Sequence, residues 1–151
     1  MNGFALTGND TAIINDRSLT DLADGDAITV EFSGDLSTTK SGKNGNVIYG
    51  ENQQGRQARM KIRVLRGSAD DKFLNGLKAQ QKASFAGFVL MTGEFIKKIG
   101  SGSGKITNDT YIGSGATFAK EVGAKSNADG DSEQSVAVYE LQFGNMERVL
   151  T

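Results

Sequence analysis

Along most of the chain, apolar and polar residues alternate with the two-residue period of a β-strand. The longest such stretch runs from Arg56 to Arg66. One of its faces is apolar and the other is basic. The apolar face holds Met60, Ile62 and Val64, and the basic face holds Arg59, Lys61 and Arg63. This pattern predicts a strand that packs on a core and carries three cations on its other face.

Shorter alternating stretches occur on both sides of this strand. We expect strands at residues 27–32, 47–50, 85–92, 94–99, 105–112, 116–125 and 135–143. The pair Asn15-Asp16 lies between Ala12-Ile13-Ile14 and Arg17-Ser18-Leu19 and predicts a short hairpin. Residues 100–104 and 127–131 are rich in Gly, Ser, Asn and Asp, and predict further turns.

One segment, about residues 68–82, has the period of an amphipathic helix instead. Ser68 is a favourable N-cap, and Asp70 and Asp71 follow in the first turn, where the positive end of the helix dipole favours acids. The apolar residues of the segment are Ala69, Phe73, Leu74 and Leu77. We therefore expect one helix, packed on the sheet.

Together these elements predict an α+β chain that is mostly β, with an antiparallel sandwich or barrel-like sheet and one flanking helix. Its 151 residues fit a single domain. Residues 33–46, rich in Ser, Thr, Lys and Gly, are expected to form a long loop between two strands, and loops of that length are usually functional or mobile. Residues 144–151 lack a clear pattern and are expected to form a C-terminal tail.

The composition excludes several kinds of chemistry. The chain has no His and no Cys, which excludes imidazole-dependent nucleophiles and the usual zinc and iron–sulfur ligands. We therefore predict that it is not an enzyme and has no catalytic, cofactor-binding or metal-binding residues. A hydrolase that uses carboxylates alone stays open, although no acidic pair stands out. Without a long apolar run or a signal-peptide pattern, we expect no membrane anchor and synthesis in the cytoplasm.

Three short segments resemble known binding or catalytic motifs but depart from them. Gly100–Lys105 lacks the first glycine and the Ser or Thr of a phosphate-binding loop. Asn127–Asp131 lacks the glycine and glutamate register of a calcium loop. Ser37–Lys40 fits Ser-x-x-Lys, but the partner motifs of that catalytic site are missing. We interpret the first two as turns and expect no catalysis at the third.

Charge is unevenly distributed along the chain. Residues 40–66 hold seven basic residues and one acid, whereas the other residues hold ten basic and seventeen acidic ones. The basic face of Arg59, Lys61 and Arg63 has three open interpretations: pairing with acids within or between subunits, a solvated face, or a nucleic-acid contact. Pairing is favoured because a nucleic-acid binder usually has a basic overall charge, and this chain has a net charge of −1.

Several stretches resemble structural proteins of contractile-tailed bacteriophages and prophages. They are Lys72–Gln81, Phe85–Phe95, Asn108–Tyr111 and Glu133–Tyr139. The likeness extends from Gly3 to Phe143 and rests on the order and character of the elements. Within that group the chain is most similar to the tail tube protein.

This resemblance implies a subunit with the β-sandwich or barrel-like tail-tube fold. In that family six subunits form a ring, and stacked rings form a hollow tube through which DNA passes without specific binding. Contacts between rings use the N-terminal segment and a long loop between early strands. The matching positions are the arm 1–8, with Phe4 and Leu6, and the loop 33–46, with Thr39, Lys40, Ser41, Lys43 and Asn44.

The resemblance also implies partners and a location. We expect the chain to assemble with itself and with sheath, baseplate and tail-terminator proteins, in a phage tail built in the bacterial cytoplasm. Because cations lining the tube would bind DNA phosphates, we predict that Arg59, Lys61 and Arg63 pair with acids between subunits. Two alternatives stay open: a tail-completion or baseplate adaptor of the same fold, and a small nucleic-acid-binding β-barrel.

Overall fold

A computed structural model describes residues 3–126 and 132–151. These residues contain ten strands, one α-helix and short 3-10 helices at Gln53–Arg56 and Ser132–Ser135. The α-helix, α1, is Ala69–Ala83. The strands are β1 (Ala5–Leu6), β2 (Thr11–Ile14), β3 (Arg17–Ser18), β4 (Ile28–Phe32), β5 (Ser37–Ser41), β6 (Val47–Glu51), β7 (Ala58–Leu65), β8 (Met91–Gly100), β9 (Ile106–Phe118) and β10 (Val136–Leu150).

Eight strands form one antiparallel sheet. Seven of them follow the order β3-β2-β8-β9-β10-β7-β4, and the eighth, β1, pairs with the C-terminal end of β8, past the part of β8 that pairs with β2. Strand β7 lies where the alternation predicts it, and its alternate residues Ala58, Met60, Ile62 and Val64 are buried. The predicted hairpin at Asn15-Asp16 is also confirmed. Both residues have positive φ, 47° and 66°, which is the conformation that the favoured two-residue hairpin turn requires.

The segment Leu19–Ala23 brings the two ends of this sheet together. At its start, the Leu19 N–H donates a hydrogen bond to the Ala12 carbonyl in β2 (2.8 Å), and at its end the Ala23 N–H donates to the Arg63 carbonyl in β7 (2.9 Å). The sheet is therefore curled into a barrel-like structure. The prediction of a mostly β, antiparallel, barrel-like fold with one flanking helix is confirmed.

The core lies inside the curled sheet and under α1. Outside the fully buried core, the ring of Phe32 in β4, which is 42% exposed, lies 6.3 Å from the ring of Tyr111 in β9, although two strands separate β4 from β9 in the sheet. The largest fully buried side chains include Tyr139, Phe143, Ile14, Met60, Ile62, Leu74, Met91, Leu141 and Met146.

Helix α1 begins as the sequence predicts. The Ser68 hydroxyl caps it by accepting a hydrogen bond from the Asp71 N–H (3.2 Å), and the Asp71 carboxylate accepts one from the hydroxyl of Tyr139 in β10 (2.5 Å). Toward its other end, the side chain of Gln81 bonds both the N–H and the carbonyl of Phe118, at 2.8 and 3.1 Å. Both ends of the helix are thus tied to the sheet.

Asp70 in the first turn of α1 is fully buried and holds the closing segment in place. Its Oδ2 accepts hydrogen bonds from the backbone N–H groups of Thr20 and Asp21, both at 2.6 Å. Its Oδ1 pairs with the Arg17 guanidinium at 3.2 Å. Burying a carboxylate is costly unless it is paired and hydrogen-bonded, and here each oxygen has a partner.

The structure corrects the prediction of a loop at residues 33–46. Five of these residues form β5, which pairs with β6 as a separate two-stranded sheet, with Thr39 opposite Tyr49. The turn between them is closed by a bond from the Gly42 N–H to the Asn46 carbonyl (2.7 Å). The prediction failed because the side chains of β5 are all small or polar, so the segment shows no apolar alternation.

Three other boundaries differ from the predictions. Strand β8 starts at Met91, so most of the expected strand 85–92 is a turn with irregular backbone. The two strands expected at 105–112 and 116–125 are a single strand, β9, that ends at Phe118. The expected tail 144–151 is largely the end of β10, which pairs with β9 as far as Leu150. The turn expected at 127–131 lies outside the described residues.

Candidate assembly surfaces

The β5–β6 hairpin projects from the upper end of β4, the end toward which β4 runs. Every residue of β5 and all but one of β6 are exposed. The five predicted ring-stacking residues lie together in it: Thr39, Lys40 and Ser41 in β5, and Lys43 and Asn44 in the turn. A two-stranded hairpin without a covering layer is marginally stable in water, so this segment is suited to a contact with another molecule.

The hairpin also exposes apolar side chains that its sequence did not predict to lie on the surface. Ile48 and Tyr49 in β6 are 73% and 77% exposed, and Leu36 at the base is exposed to a similar degree. A short apolar run such as residues 47–49 normally indicates a buried strand, and nothing in its own sequence distinguishes the exposed case. The one indication of exposure in the sequence was the polar character of the partner strand β5.

The predicted N-terminal arm forms a short strand at the side of the barrel. Ala5 pairs with Gly100 and Leu6 with Ile99 at the end of β8. Phe4 and Leu6 are both exposed. The arm therefore presents apolar side chains at the outer edge of the strand set β1-β8-β9-β10.

The opposite edge of that strand set is also open. Strand β10 pairs with β7 only as far as Phe143, opposite Ala58, and within the described residues its remainder pairs with β9 alone. A groove of about 550 Å³ lies beside this part of β10. It is lined by Phe32, Gly34, Leu36, Gly55, Arg56, Met146, Glu147 and Arg148. An unpaired strand edge beside an apolar groove can accept a further strand.

The basic face of β7 is paired within the chain. Glu140 on the neighbouring strand β10 lies 3.7 Å from the Arg59 guanidinium and 3.5 Å from the Lys61 ammonium. Lys120 approaches the same carboxylate at 3.6 Å. Arg59, Lys61 and Glu140 lie in a groove of about 410 Å³ on this face. The groove is also lined by Asp26, Thr29, Glu31 and Arg63. Of the open interpretations, pairing within a subunit thus has direct support, and pairing between subunits stays a prediction.

A further exposed apolar surface lies at the lower end of the sheet, where the turn between α1 and β8 enters β8. Phe85, Val89 and Leu90 are exposed there, Val89 to 83%. The β2–β3 turn lies next to them, because Asn15 exchanges two hydrogen bonds with Thr92, each of 3.0 Å. The apolar pattern of residues 85–92 predicted a strand here, so this surface was not expected from the sequence.

The ionisable groups with shifted pKa values stabilise the scaffold. Hydrogen bonds from Lys78 and then Lys82 lower the pKa of Glu121 to about 2. Burial, and the Asp71 carboxylate beside it, raise the pKa of the Tyr139 hydroxyl. Hydrogen bonds to the buried carboxylate of Asp109, at 2.8 and 3.0 Å, raise the pKa of Arg148. Each shift is explained by an interaction that joins two parts of the fold.

In the part of the chain that the structure describes, no group of three or more His, Cys, Asp or Glu residues is placed to hold a metal ion. Within the same residues, no helix is both long and apolar enough to cross a membrane.

Three solved structures contain chains of similar fold. One is the tube-terminating cap of the anti-feeding prophage, with a TM-score of 0.61, 9% identity, and coverage of 96% of this chain and 90% of that chain. The second belongs to the sheath–tube complex of the extracellular contractile injection system PVC in its extended state, with a TM-score of 0.57, 9% identity, and coverage of 94% and 87%.

The third belongs to the sheath/tube terminator of the PVC system in its extended state. Its TM-score is 0.53 at 10% identity, with coverage of 95% of this chain and 94% of that chain. No protein-family model and no curated protein matches the sequence. At these identities the likeness shows the fold, and it confirms the resemblance to the tail tube fold of contractile particles.

Proposed function

We propose that this chain is a structural, non-enzymatic subunit of a contractile particle, which forms rings that stack into the inner tube. The fold that it shares with the cap, sheath–tube and terminator chains over 94–96% of its length supports this proposal. The observation that carries it is the exposed β5–β6 hairpin, because a two-stranded sheet with exposed Ile48 and Tyr49 needs a covering partner.

Ring formation is supported by the two open edges of the strand set β1-β8-β9-β10. The outer edge of β1 and the end of β10 lie on opposite sides of the set, so one subunit can join its β10 edge to the β1 edge of the next. Such a contact is heterologous, and it generates a closed ring when the rotation between subunits closes. In such a ring the open edges of β1 and of the end of β10 are both paired.

The finer features follow from the same proposal. Six subunits form each ring, and sheath, baseplate and terminator proteins are the partners. The face of Arg59, Lys61 and Arg63 also meets acids of a neighbouring subunit, a contact that is open to Arg59 and Lys61 because both side chains stay about half exposed beside Glu140. The particle is a phage tail whose lumen passes DNA without specific binding, or an extracellular injection system of the kind to which the PVC chains belong.

A second candidate is a terminating ring, which caps a tube and does not continue it. It is favoured by the two similar chains that come from a tube-terminating cap and a sheath/tube terminator. The two candidates differ in whether both ends of the ring accept another copy of the chain.

Negative-stain electron microscopy and sedimentation of the purified chain at increasing concentration test both candidates. Tubes whose length grows with concentration support the tube subunit. Single rings that never stack support the terminating ring. A chain that stays monomeric at high concentration contradicts both, and a monomer that also binds single-stranded DNA with steep salt dependence indicates the nucleic-acid-binding β-barrel instead.

A further inference from the structure

We propose that the hairpin at one end of this chain docks on a defined surface at the other end of a second copy. The stacking hairpin is residues 36–51, and the receiving face is Asp16, Phe85, Val89 and Leu90. This inference rests on the proposed function, since it supplies the contact between successive rings. It adds which part of the next subunit receives the hairpin.

The strand directions place these two surfaces at opposite ends of the molecule. Strands β4, β8 and β10 run the same way, because β8 and β10 are each antiparallel to β9, and β4 and β10 are each antiparallel to β7. The hairpin follows the C-terminal end of β4, and the receiving face precedes the N-terminal end of β8. A contact between opposite ends of identical subunits does not close on itself, so it extends a stack.

The two surfaces match in apolar character. The hairpin exposes Ile48 and Tyr49, and the receiving face exposes Phe85, Val89 and Leu90. Contact between these five side chains is favourable because it removes their apolar surface from water. All five side chains are exposed in the folded chain, so each is accessible to a neighbour.

The two surfaces are also complementary in charge. The hairpin includes Lys40 and Lys43 near its turn, and its one acid, Glu51, lies at its base at the end of β6. The exposed Asp16 lies beside the apolar turn, and the exposed Asp24 and Asp26 precede β4 at the same end of the sheet. Opposite charges on the two surfaces fix the register of the contact and disfavour the pairing of two hairpins or of two receiving faces.

Cross-linking tests this contact directly because the chain has no cysteine of its own. The double variant Ile48→Cys with Val89→Cys, treated with a short bismaleimide reagent, is expected to give a ladder of covalent multimers on a denaturing gel. Each single-cysteine variant is the matched control and is expected to give no species beyond a dimer. Wild-type tubes together with the absence of a ladder overturn this inference and leave the proposed function standing.

A mixing experiment supplies a second readout. Ile48→Glu and Val89→Glu change exposed side chains, so both variants are expected to fold and form rings, and neither alone is expected to stack. The Val89→Glu ring keeps an intact hairpin and the Ile48→Glu ring keeps an intact receiving face. When the two variants are mixed, stacks of two rings are therefore expected. Long tubes from either variant alone, or single rings only from the mixture, overturn the inference. A wild-type chain that never stacks overturns both the inference and the tube proposal.

Discussion

Replacing Asp70 by Ala tests whether the closing segment Leu19–Ala23 is held by this one buried carboxylate. The change removes two hydrogen bonds of 2.6 Å from the backbone N–H groups of Thr20 and Asp21. It also removes the ion pair with Arg17. Since these groups join β3 to helix α1, the variant is expected to lose stability without losing any of its apolar core.

The magnitude follows from each interaction in turn. A donor left without its acceptor costs about 1–3 kcal/mol, and Thr20 is exposed enough for water to replace part of the loss, so we take about 1–2 kcal/mol for each N–H. The Arg17 side chain is 41% exposed, so its pair contributes under about 1 kcal/mol. The sum is about 3 kcal/mol, a large part of the roughly 5–15 kcal/mol that stabilises a typical domain.

Urea unfolding followed by circular dichroism measures this loss in the free energy of unfolding. Asp70→Asn keeps the shape and one acceptor oxygen, so it is expected to lose only about half as much as Asp70→Ala. The matched control is Asp24→Ala, an exposed acid whose replacement is expected to change the free energy by less than about 0.5 kcal/mol. A loss below about 1 kcal/mol for Asp70→Ala refutes the assigned role of this carboxylate.

Three further predictions concern other parts of the chain. Gly113→Ala is expected to cost about 1–3 kcal/mol of stability in the same assay, because a Cβ there would lie 2.5 Å from the Phe143 ring; an unchanged midpoint contradicts this. The pKa of Glu121 is lowered to about 2 by its bond with Lys78, so its contribution is present above about pH 4.5 and declines as the pH falls toward 2. Glu121→Gln is expected to remove that part of the pH dependence of unfolding, and parallel curves for the two proteins contradict it. Deletion of residues 39–44 is expected to abolish stacking but leave rings and the unfolding free energy nearly unchanged, as electron microscopy and urea unfolding can check.

Local sequence was sufficient to predict the elements that are defined by interactions between residues close together in the chain. The cap at Ser68 and the acids behind it placed the start of α1, and Asn15-Asp16 placed the β2–β3 turn. In each case the bonds or dihedral angles that define the element are made within one turn of chain. The alternation in β7 was equally clear because half of that strand is buried and half is not.

Elements defined by a distant partner were not predicted correctly. Residues 85–90 are as apolar as a buried strand, but β8 pairs with β9 only from Met91 onward. The segment Ser37–Ser41 has no apolar face, and it is a strand because β6 lies beside it. The context of a strand, more than its intrinsic preference, decides whether it forms.

The same division applies to the assembly surfaces. The sequence identified Phe4, Leu6, residues 39–44 and the basic face of β7 as candidates, and the structure shows the first two groups exposed and the third paired in part with Glu140. The apolar half of the hairpin and the receiving face were not identified. Exposure of an apolar side chain depends on which elements cover it, and only the folded chain determines that.

Composition and local pattern alone determine that this is a mostly β chain with one capped helix and without the residues of imidazole or thiolate chemistry. Those conclusions need only residue identities and near neighbours. The tertiary structure decided that the sheet curls through Leu19–Ala23, that β10 keeps an open edge, and that apolar surfaces lie at opposite ends of the strands. The physical reason is that strand pairing and side-chain burial depend on contacts between residues far apart in the chain, so they cannot be predicted from a local sequence pattern.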